Sequence, residues 1–400
     1  MNVKIYPSVP VGKFTAPPSK SMAHRLLICA AFSKGESVIS NVAYSQDILA
    51  TIGCLKTLGA EIECQGDKVF VSGIEKRNKN IRLDCSESGS TLRFLFFPSI
   101  IEENEVSFIG KGRLPQRPMG EYEKICSEQG IICQRNENSI RVEGRIKPGI
   151  FTIDGAVSSQ YISGLLFTLP MLDSDSKIVI ENRVESKPYI DMTIDALRKF
   201  SIEVEWQDKN IIFVKGNQEY KATNLAVEGD YSNAAFFYSL GEKVEVGGLD
   251  KNSLQGDKVF LDFYNKLKES YCEFDISDCP DLGPILFSVS AMYNGGRFTG
   301  TKRLKIKESD RVQSMKEELE KMGVSVIAGE DFVEIKKSNL HTPTQVLESH
   351  FDHRIAMALS VVLIKVGGEI ENAECVKKSM PDFFDRLTDL KVRLEKNEVR

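Results

Sequence analysis

Six times along the chain a short polar group gives way abruptly to an apolar run. Ser19-Lys20-Ser21 precedes MAHRLLICAAF, Ser88-Gly89-Ser90-Thr91 precedes LRFLFF, and Ser158-Ser159-Gln160 precedes YISGLLFTLP. Further on, Asp230-Tyr231-Ser232-Asn233 precedes AAFFYSL, Asp281 precedes LGPILFSVSAM, and Asp352-His353-Arg354 precedes IAMALSVVLI. A small polar residue just ahead of an apolar run predicts a helix start, where its side chain caps unpaired backbone N–H groups. The same N–H groups attract anions. Several such starts converging on one cleft would suit a polyanionic small molecule.

Behind each polar start lies a second pattern: an amphipathic helix, a turn and a β-hairpin. It reads TIGCLKTLGAEIECQGDKVFVSG, then EYEKICSEQGIICQRNENSIRVEG, then DALRKFSIEVEWQDKNIIFVKG, with Gly59, Gly130 and Ser201 in matching places. That spacing is 71 residues, and a sustained period dominates the choice of fold. The later half repeats it loosely in NKLKESYCEFDIS, clearly in KEELEKMGVSVIAGEDFVEI and in truncated form in FFDRLTDLKVRL. Each unit predicts β-α-β-α-β-β, and three units enclose a core. The expected architecture is α/β, with two similar lobes of three repeats each. The polar stretch near residues 217–225 divides them, giving one lobe over 16–220 and another over 1–15 plus 221–400, to which the strand in MNVKIYPSV returns.

Composition narrows the class. Four hundred residues exceed one ordinary core. Apolar content of 42% with 27% charged residues fits a globular protein, and no apolar run reaches the length of a membrane span. Nine cysteines form no CxxC pair and the histidines are scattered, so neither a disulfide framework nor a metal is expected. No signal-peptide pattern opens the chain, and a reducing cytoplasm is the expected location. A net charge of −5 argues against nucleic acid as a partner. No phosphate-binding glycine motif for a nucleotide occurs, and no cofactor is expected.

Cations nonetheless gather at the polar starts and in short polar loops: Lys20, Arg25, Arg93, Arg117, Lys307, Arg311, Arg354 and Lys378. Helix caps alone do not call for them. PSKSMAHR, SGSTLRF, QRPMG, VSSQY, SKPY, KESDR, FDHRIAMA and KSMPDFF, in this order and spread over nearly the whole chain, resemble the successive motifs of the EPSP synthase family of enolpyruvyl transferases. The resemblance implies two inverse α/β domains of three repeats each. It also implies transfer of the enolpyruvyl group of phosphoenolpyruvate to the 5-hydroxyl of shikimate 3-phosphate, with release of phosphate. Together the two substrates bring about five to six negative charges, which suits bidentate arginines.

The resemblance assigns roles. Lys20, Ser21 and Arg25 match the acceptor-binding motif, with Lys20 also reaching phosphoenolpyruvate. Ser158, Ser159 and Ser186 match the ligands of the shikimate phosphate; Gln160 stands between the substrates and Tyr189 borders the acceptor. Gly89, Arg117, Arg311, Arg354 and Lys378 match the phosphoenolpyruvate pocket. Asp281 and Lys307 match the pair on the acceptor hydroxyls. Asp281 is the expected base for the attacking hydroxyl, and Glu308 or Lys20 the group serving the methylene carbon; His353 is secondary. No motif lifts His24, His341 or His350 to a role, and they are expected to be ordinary surface or partly buried histidines. Gly89 leaves no methyl group beside the phosphate, which predicts sensitivity to glyphosate. Glu87 stands where many relatives have Asn, and Arg303 where some have a substrate-touching Asn, so neither role is carried over.

Three alternatives compete. A UDP-N-acetylglucosamine enolpyruvyl transferase would carry a cysteine or an Asp in the loop that here reads GRLPQRP. An enzyme of RNA 3′-phosphate ends would need a basic face. A non-catalytic anion-binding protein would leave Asp281 and Glu308 without purpose. The expected partners are therefore the two small substrates, with neither nucleic acid nor membrane, bound by a monomer whose lobes close on them.

Overall fold

The computed structural model describes residues 1–397. The backbone divides into two compact units, Pro18–Glu228 and Met1–Pro17 together with the chain from Gly229 onward, each with its own apolar core.

In the unit Pro18–Glu228 three sheets share one strand order. Ile81–Asp84 runs parallel to Asn104–Ile109, which pairs antiparallel with Ser139–Gly144, itself paired with Ile132–Arg135. Ile150–Asp154, Ser176–Glu181, Ile211–Val214 and Val204–Asp208 repeat the scheme. In the first sheet Glu36–Ser40 takes its parallel neighbour from Leu225–Ala226, nearly the whole unit further along the chain. This pairing moves the boundary past the expected residue 220. Tyr220 is buried and donates to Phe167 O, so the polar stretch belongs to this unit rather than to a linker.

Each repeat has one inner and one outer helix. The inner helices Lys20–Phe32, Gly89–Leu95 and Ser159–Thr168 are apolar nearly all round and almost wholly buried, as such helices must be. The outer helices Gln46–Leu58, Gly120–Gln129 and Lys187–Lys199 bury one face. The chain leaves them through positive φ at Gly59, Gly130 and Ser201, +120°, +71° and +64°. The third repeat thus puts a serine where glycine is strain-free.

The second unit varies the scheme. Cys272–Asp275, Gly295–Thr299, Phe332–Lys336 and Val326–Ala328 form a full sheet. Leu347–Glu348, Gly368–Glu371 and Leu394–Asn397 complete theirs with Asn2–Ile5, which explains the truncated FFDRLTDLKVRL: its missing strand is the first of the chain. The loose copy NKLKESYCEFDIS lacks a hairpin. Only Ser270 and Tyr271 separate helix Phe260–Glu269 from Cys272–Asp275, and that strand opens the next repeat. Its sheet has two described strands, Val244–Gly247 and Gly12–Thr15. The fold is therefore two inverse α/β lobes of three repeats each, one repeat abbreviated. No helix among the described residues is long and apolar enough to cross a membrane.

Candidate active site

Five of the six polar starts are capped as their residues predict. Ser19, Ser88 and Ser158 accept from Met22 N, Thr91 N and Gln160 N. Asp230 and Asp352 accept from Asn233 N and Arg354 N. The sixth differs. Asp281 lies in the short 3₁₀ turn Pro280–Leu282, and Leu282 occupies the N-cap of helix Gly283–Met292 without a side-chain cap. The Asp281 carboxylate is used elsewhere.

In the unit Pro18–Glu228, Lys20 Nζ lies 2.7 Å from Asp47 Oδ2 on the neighbouring outer helix. Arg25 is buried one turn further and donates to Ser21 O at 2.6 Å, Tyr189 O at 2.8 Å and Thr193 Oγ1 at 2.9 Å. It thereby holds two other expected acceptor residues, Ser21 and Tyr189, by their carbonyls. Gln160 accepts from Arg93 Nη1 at 2.8 Å and donates to Ser90 Oγ at 3.1 Å. At Gly89 a Cβ would stand 2.6 Å from Arg117 Nη1, so this glycine and this arginine are direct neighbours. Ser159 is buried in the first turn after Ser158, and Ser186 takes a left-handed φ of +54° before helix Lys187–Lys199.

In the second unit the expected residues form one ion network. Asp281 receives Arg311 Nη1 at 3.0 Å on one oxygen and Arg354 Nη2 at 2.9 Å on the other. Arg311, 2% exposed, also reaches Glu308 at 2.8 Å and Asp352 at 2.9 Å. Burial works to raise the Asp281 pKa, but Arg354, Lys307 and Arg311 outweigh it and hold the carboxyl far below its usual range. Burial lowers the pKa of Arg311, and Asp352, Glu308 and Asp281 more than reverse that. Part of Lys307 still meets solvent. Desolvation, with Arg303 and Arg311 close by, nevertheless pushes its ammonium down to about 7 against the pull of Asp281. Lys378 is buried and donates to Phe351 O at 2.8 Å.

The EPSP synthase (3-phosphoshikimate 1-carboxyvinyltransferase) family model matches residues 7–272 and 263–387. A 3-phosphoshikimate 1-carboxyvinyltransferase of Clostridium perfringens is 42% identical over 97% of this chain and 98% of its own. One from Clostridium acetobutylicum is 42% identical over 97% of both. This chain belongs to the EPSP synthase family. The solved EPSP synthase of Acinetobacter baumannii, at 22% identity, superposes with a TM-score of 0.79 over 99% of this chain and all of that one. The enolpyruvyl transferase NikO of Streptomyces tendae gives 0.76 at 12% identity and 98% coverage of each. These two structures speak for the fold alone.

Several residues of this EPSP synthase family member had no role assigned from the sequence, although Arg93 was already among the gathered cations. Asp257, next to Gly256 in a short 3₁₀ turn, is buried and accepts from Ser232 Oγ. Burial and the nearby Asp281 raise its pKa to about 6. Arg93 and Arg135 hold the loop of Arg117, donating to Pro118 O at 2.9 Å and Arg117 O at 2.8 Å. His24, expected at most partly buried, is 1% exposed and starts a buried hydroxyl chain through Thr51 and Thr91 to Ser88. Burial, then Lys20 and Arg25, hold its pKa well below the ordinary value, so it is neutral. Arg93 and His24 lie inside the motifs SGSTLRF and PSKSMAHR, but the contacts Arg93–Gln160 and Thr51–Thr91 form only where two repeats meet.

Proposed function

We infer that this chain transfers the enolpyruvyl group of phosphoenolpyruvate to the 5-hydroxyl of shikimate 3-phosphate, releasing phosphate, on the route to chorismate and the aromatic amino acids. The observation that carries most weight is Asp281: an acid at a helix start whose carboxylate pairs with two buried arginines, in a chain 42% identical to a relative named for this reaction over 97% of its length. The Asp281 carboxylate keeps Arg311 and Arg354 charged and oriented before any ligand arrives. The phosphate and carboxylate of phosphoenolpyruvate are the stronger anionic ligands for such forks. Once they take the arginines, Asp281 loses the cations that depress its pKa and becomes a better proton acceptor.

The assigned roles follow. Asp281 removes the proton of the attacking hydroxyl, and Glu308 or Lys20 delivers one to the methylene carbon. The hydroxyl oxygen bonds to the adjacent carbon, and the tetrahedral adduct then loses a methyl proton and expels phosphate. General acid–base groups supply about 10²–10⁴-fold, and the fixed cations stabilise the developing charge. Shikimate 3-phosphate is assigned to Lys20, Ser21, Arg25, Ser158, Ser159, Gln160, Ser186, Tyr189, Asp281 and Lys307. Phosphoenolpyruvate is assigned to Lys20, Gly89, Arg117, Gln160, Arg311, Arg354 and Lys378. Arg25, buried and donating to three protein oxygens, shapes the acceptor side chiefly by holding Ser21 and Tyr189. A monomer in a reducing cytoplasm completes the proposal, supported by nine free cysteines among the described residues.

The test is phosphate release by the purified protein with each substrate alone and with both. Release that requires both, and that falls in Lys20→Ala, is the expected result. Release with UDP-N-acetylglucosamine instead of shikimate 3-phosphate would move the activity to the sister enolpyruvyl transferases.

A further inference from the structure

One charged cluster in the second unit has no part in the roles above. Glu317, Glu318 and His350 bring their ligand atoms within 4.8 Å of one another. By donor type the set suits a cation, but Lys321 Nζ already donates to both Glu318 oxygens at 2.9 and 2.8 Å, and Glu348 N adds a third bond at 2.9 Å. A metal ion would meet an ammonium group there. His350 Nε2 completes the shell of this buried carboxylate at 3.0 Å.

His350 also opens an unusual turn. It and Phe351 both take positive φ, +50° and +54°, and two consecutive non-glycine residues in that region are strained unless the surroundings hold them. Inside the turn Ser349 accepts twice, its Oγ from Phe351 N at 3.2 Å and its carbonyl from Asp352 N at 2.9 Å. From outside, Ser349 Oγ donates to Asn372 O at 2.9 Å, and the His350 imidazole holds the first left-handed residue on Glu318 at 3.0 Å. What the turn presents is the anion pocket: Phe351 O accepts from Lys378 Nζ, and Asp352 receives Arg311 Nε and the backbone N of Arg354. Glu318 sits in the last turn of helix Arg311–Glu320, whose first residue is Arg311. His350 therefore ties the loop ahead of Arg354 to the helix that carries Arg311.

We propose that His350 is a positioning residue for the phosphoenolpyruvate cations, a latch whose imidazolium on Glu318 fixes the turn that places Lys378 and the Asp352–Arg311 pair. This role rests on the substrate assignment above. The charged groups facing His350 are Glu317 and Glu318 from helix Arg311–Glu320, Lys321 just beyond it, and Glu348 from strand Leu347–Glu348. The hydrogen bond to Glu318 raises the imidazole pKa above 6.5 against desolvation, with Glu348 and Glu317 adding to it. A raised pKa means the latch is fully set below pH 6.5 and loosens as pH climbs through the folded value.

The experiment compares wild type with His350→Ala for kcat and phosphoenolpyruvate KM from about pH 6 to about pH 9. At the acid end the variant's KM should be about three- to tenfold higher, with kcat within about twofold. The ratio of the two KM values should fall toward one as pH rises. A ratio independent of pH, or equal to one throughout, overturns the latch. Because His350→Ala could unfold locally, NMR titration of His350 in wild type and Glu318→Gln gives a second reading. A pKa above the ordinary value that returns to it in Glu318→Gln supports the latch, and an ordinary pKa in wild type overturns it. If wild type releases no phosphate with the two substrates, the substrate assignment fails, while the titration still decides the latch.

Discussion

The two units use one device, the start of an inner helix, to opposite electrostatic ends. In Pro18–Glu228 the caps are serines, and the cations behind them rest mainly on neutral oxygens: Arg25 on two carbonyls and Thr193, Arg93 on Gln160 and Pro118 O. In the second unit two caps are aspartates, and the arginines Arg311 and Arg354 rest on carboxylates, Arg311 on three of them. A serine cap satisfies an N–H group without cancelling the positive end of the helix, so the first arrangement stays electropositive toward an anion. The second is already neutralised, and an anion gains there by displacing a carboxylate. One arrangement suits a ligand that is only held. The other suits a ligand whose arrival must change the protonation of a neighbouring acid, the role proposed for Asp281.

Asp281→Asn breaks the comparison hardest. The amide keeps shape but can neither take a proton nor balance Arg311 and Arg354, so kcat for phosphate release should fall about 10²–10⁴-fold. Phosphoenolpyruvate KM should change far less or drop, because the arginines lose a competitor. A kcat within about tenfold of wild type, an order of magnitude short of that range, would leave Asp281 a counter-ion only. Next comes a matched pair. Asp352→Asn removes a fully buried charge from Arg311 and should cost about 3–5 kcal/mol. Thr193→Val takes a neutral acceptor from Arg25 and should cost about 1–3 kcal/mol. Differential scanning calorimetry on both variants gives the order, and equal costs would mean that the two kinds of cation support are equivalent.

At Gly89 the comparison concerns ligand rather than stability. An alanine Cβ would crowd Arg117 Nη1 at 2.6 Å, so the guanidinium must shift away from the phosphoenolpyruvate position proposed for it. A misfit of one methyl group is worth about tenfold or more, so Gly89→Ala should raise both phosphoenolpyruvate KM and the inhibitory concentration of glyphosate by about tenfold. Equal inhibition of both proteins would separate Gly89 from the phosphoenolpyruvate pocket.

Much of this was legible in the chain because it is local. Caps sit one residue ahead of their helices, and the 71-residue spacing carries the hairpins. What was hidden is what the repeats do to each other. The strand order of the first sheet depends on Leu225–Ala226, a pairing with no neighbour signal; the first strand was expected to return to the second lobe, but its place as the missing strand of the last repeat, Asn2–Ile5, was not. The same holds at the site. Asp281 looks like the caps Asp230 and Asp352 in sequence, and only the approach of Arg311 and Arg354 from two other helices shows its carboxylate taken up in ion pairs. His24, inside PSKSMAHR, and His350 show no role in sequence because their partners, Thr51 and Glu318, lie on different elements.

The smallest effect is at Lys307, and it has the opposite sign for stability and for function. Desolvation and the neighbouring arginines press its pKa from 10.5 to about 7, so the folded chain binds this proton less tightly than the unfolded chain. Where the unfolded state binds more protons, stability rises with pH. The penalty is therefore complete below about pH 7 and is relieved between there and 10.5. Lys307→Met keeps the stem and removes the charge, so its melting temperature should exceed wild type by a few degrees, roughly 2–4 °C, at neutral pH. The gain should shrink as pH rises, and partial exposure of the ammonium keeps it small. Turnover should fall in the same variant, because the cation facing Asp281 is lost. A variant that melts lower than wild type at neutral pH would mean that Asp281 and Glu308 stabilise the ammonium more than burial and the arginines oppose it, and the acid-rich unit would then be balanced at every cation rather than strained at this one.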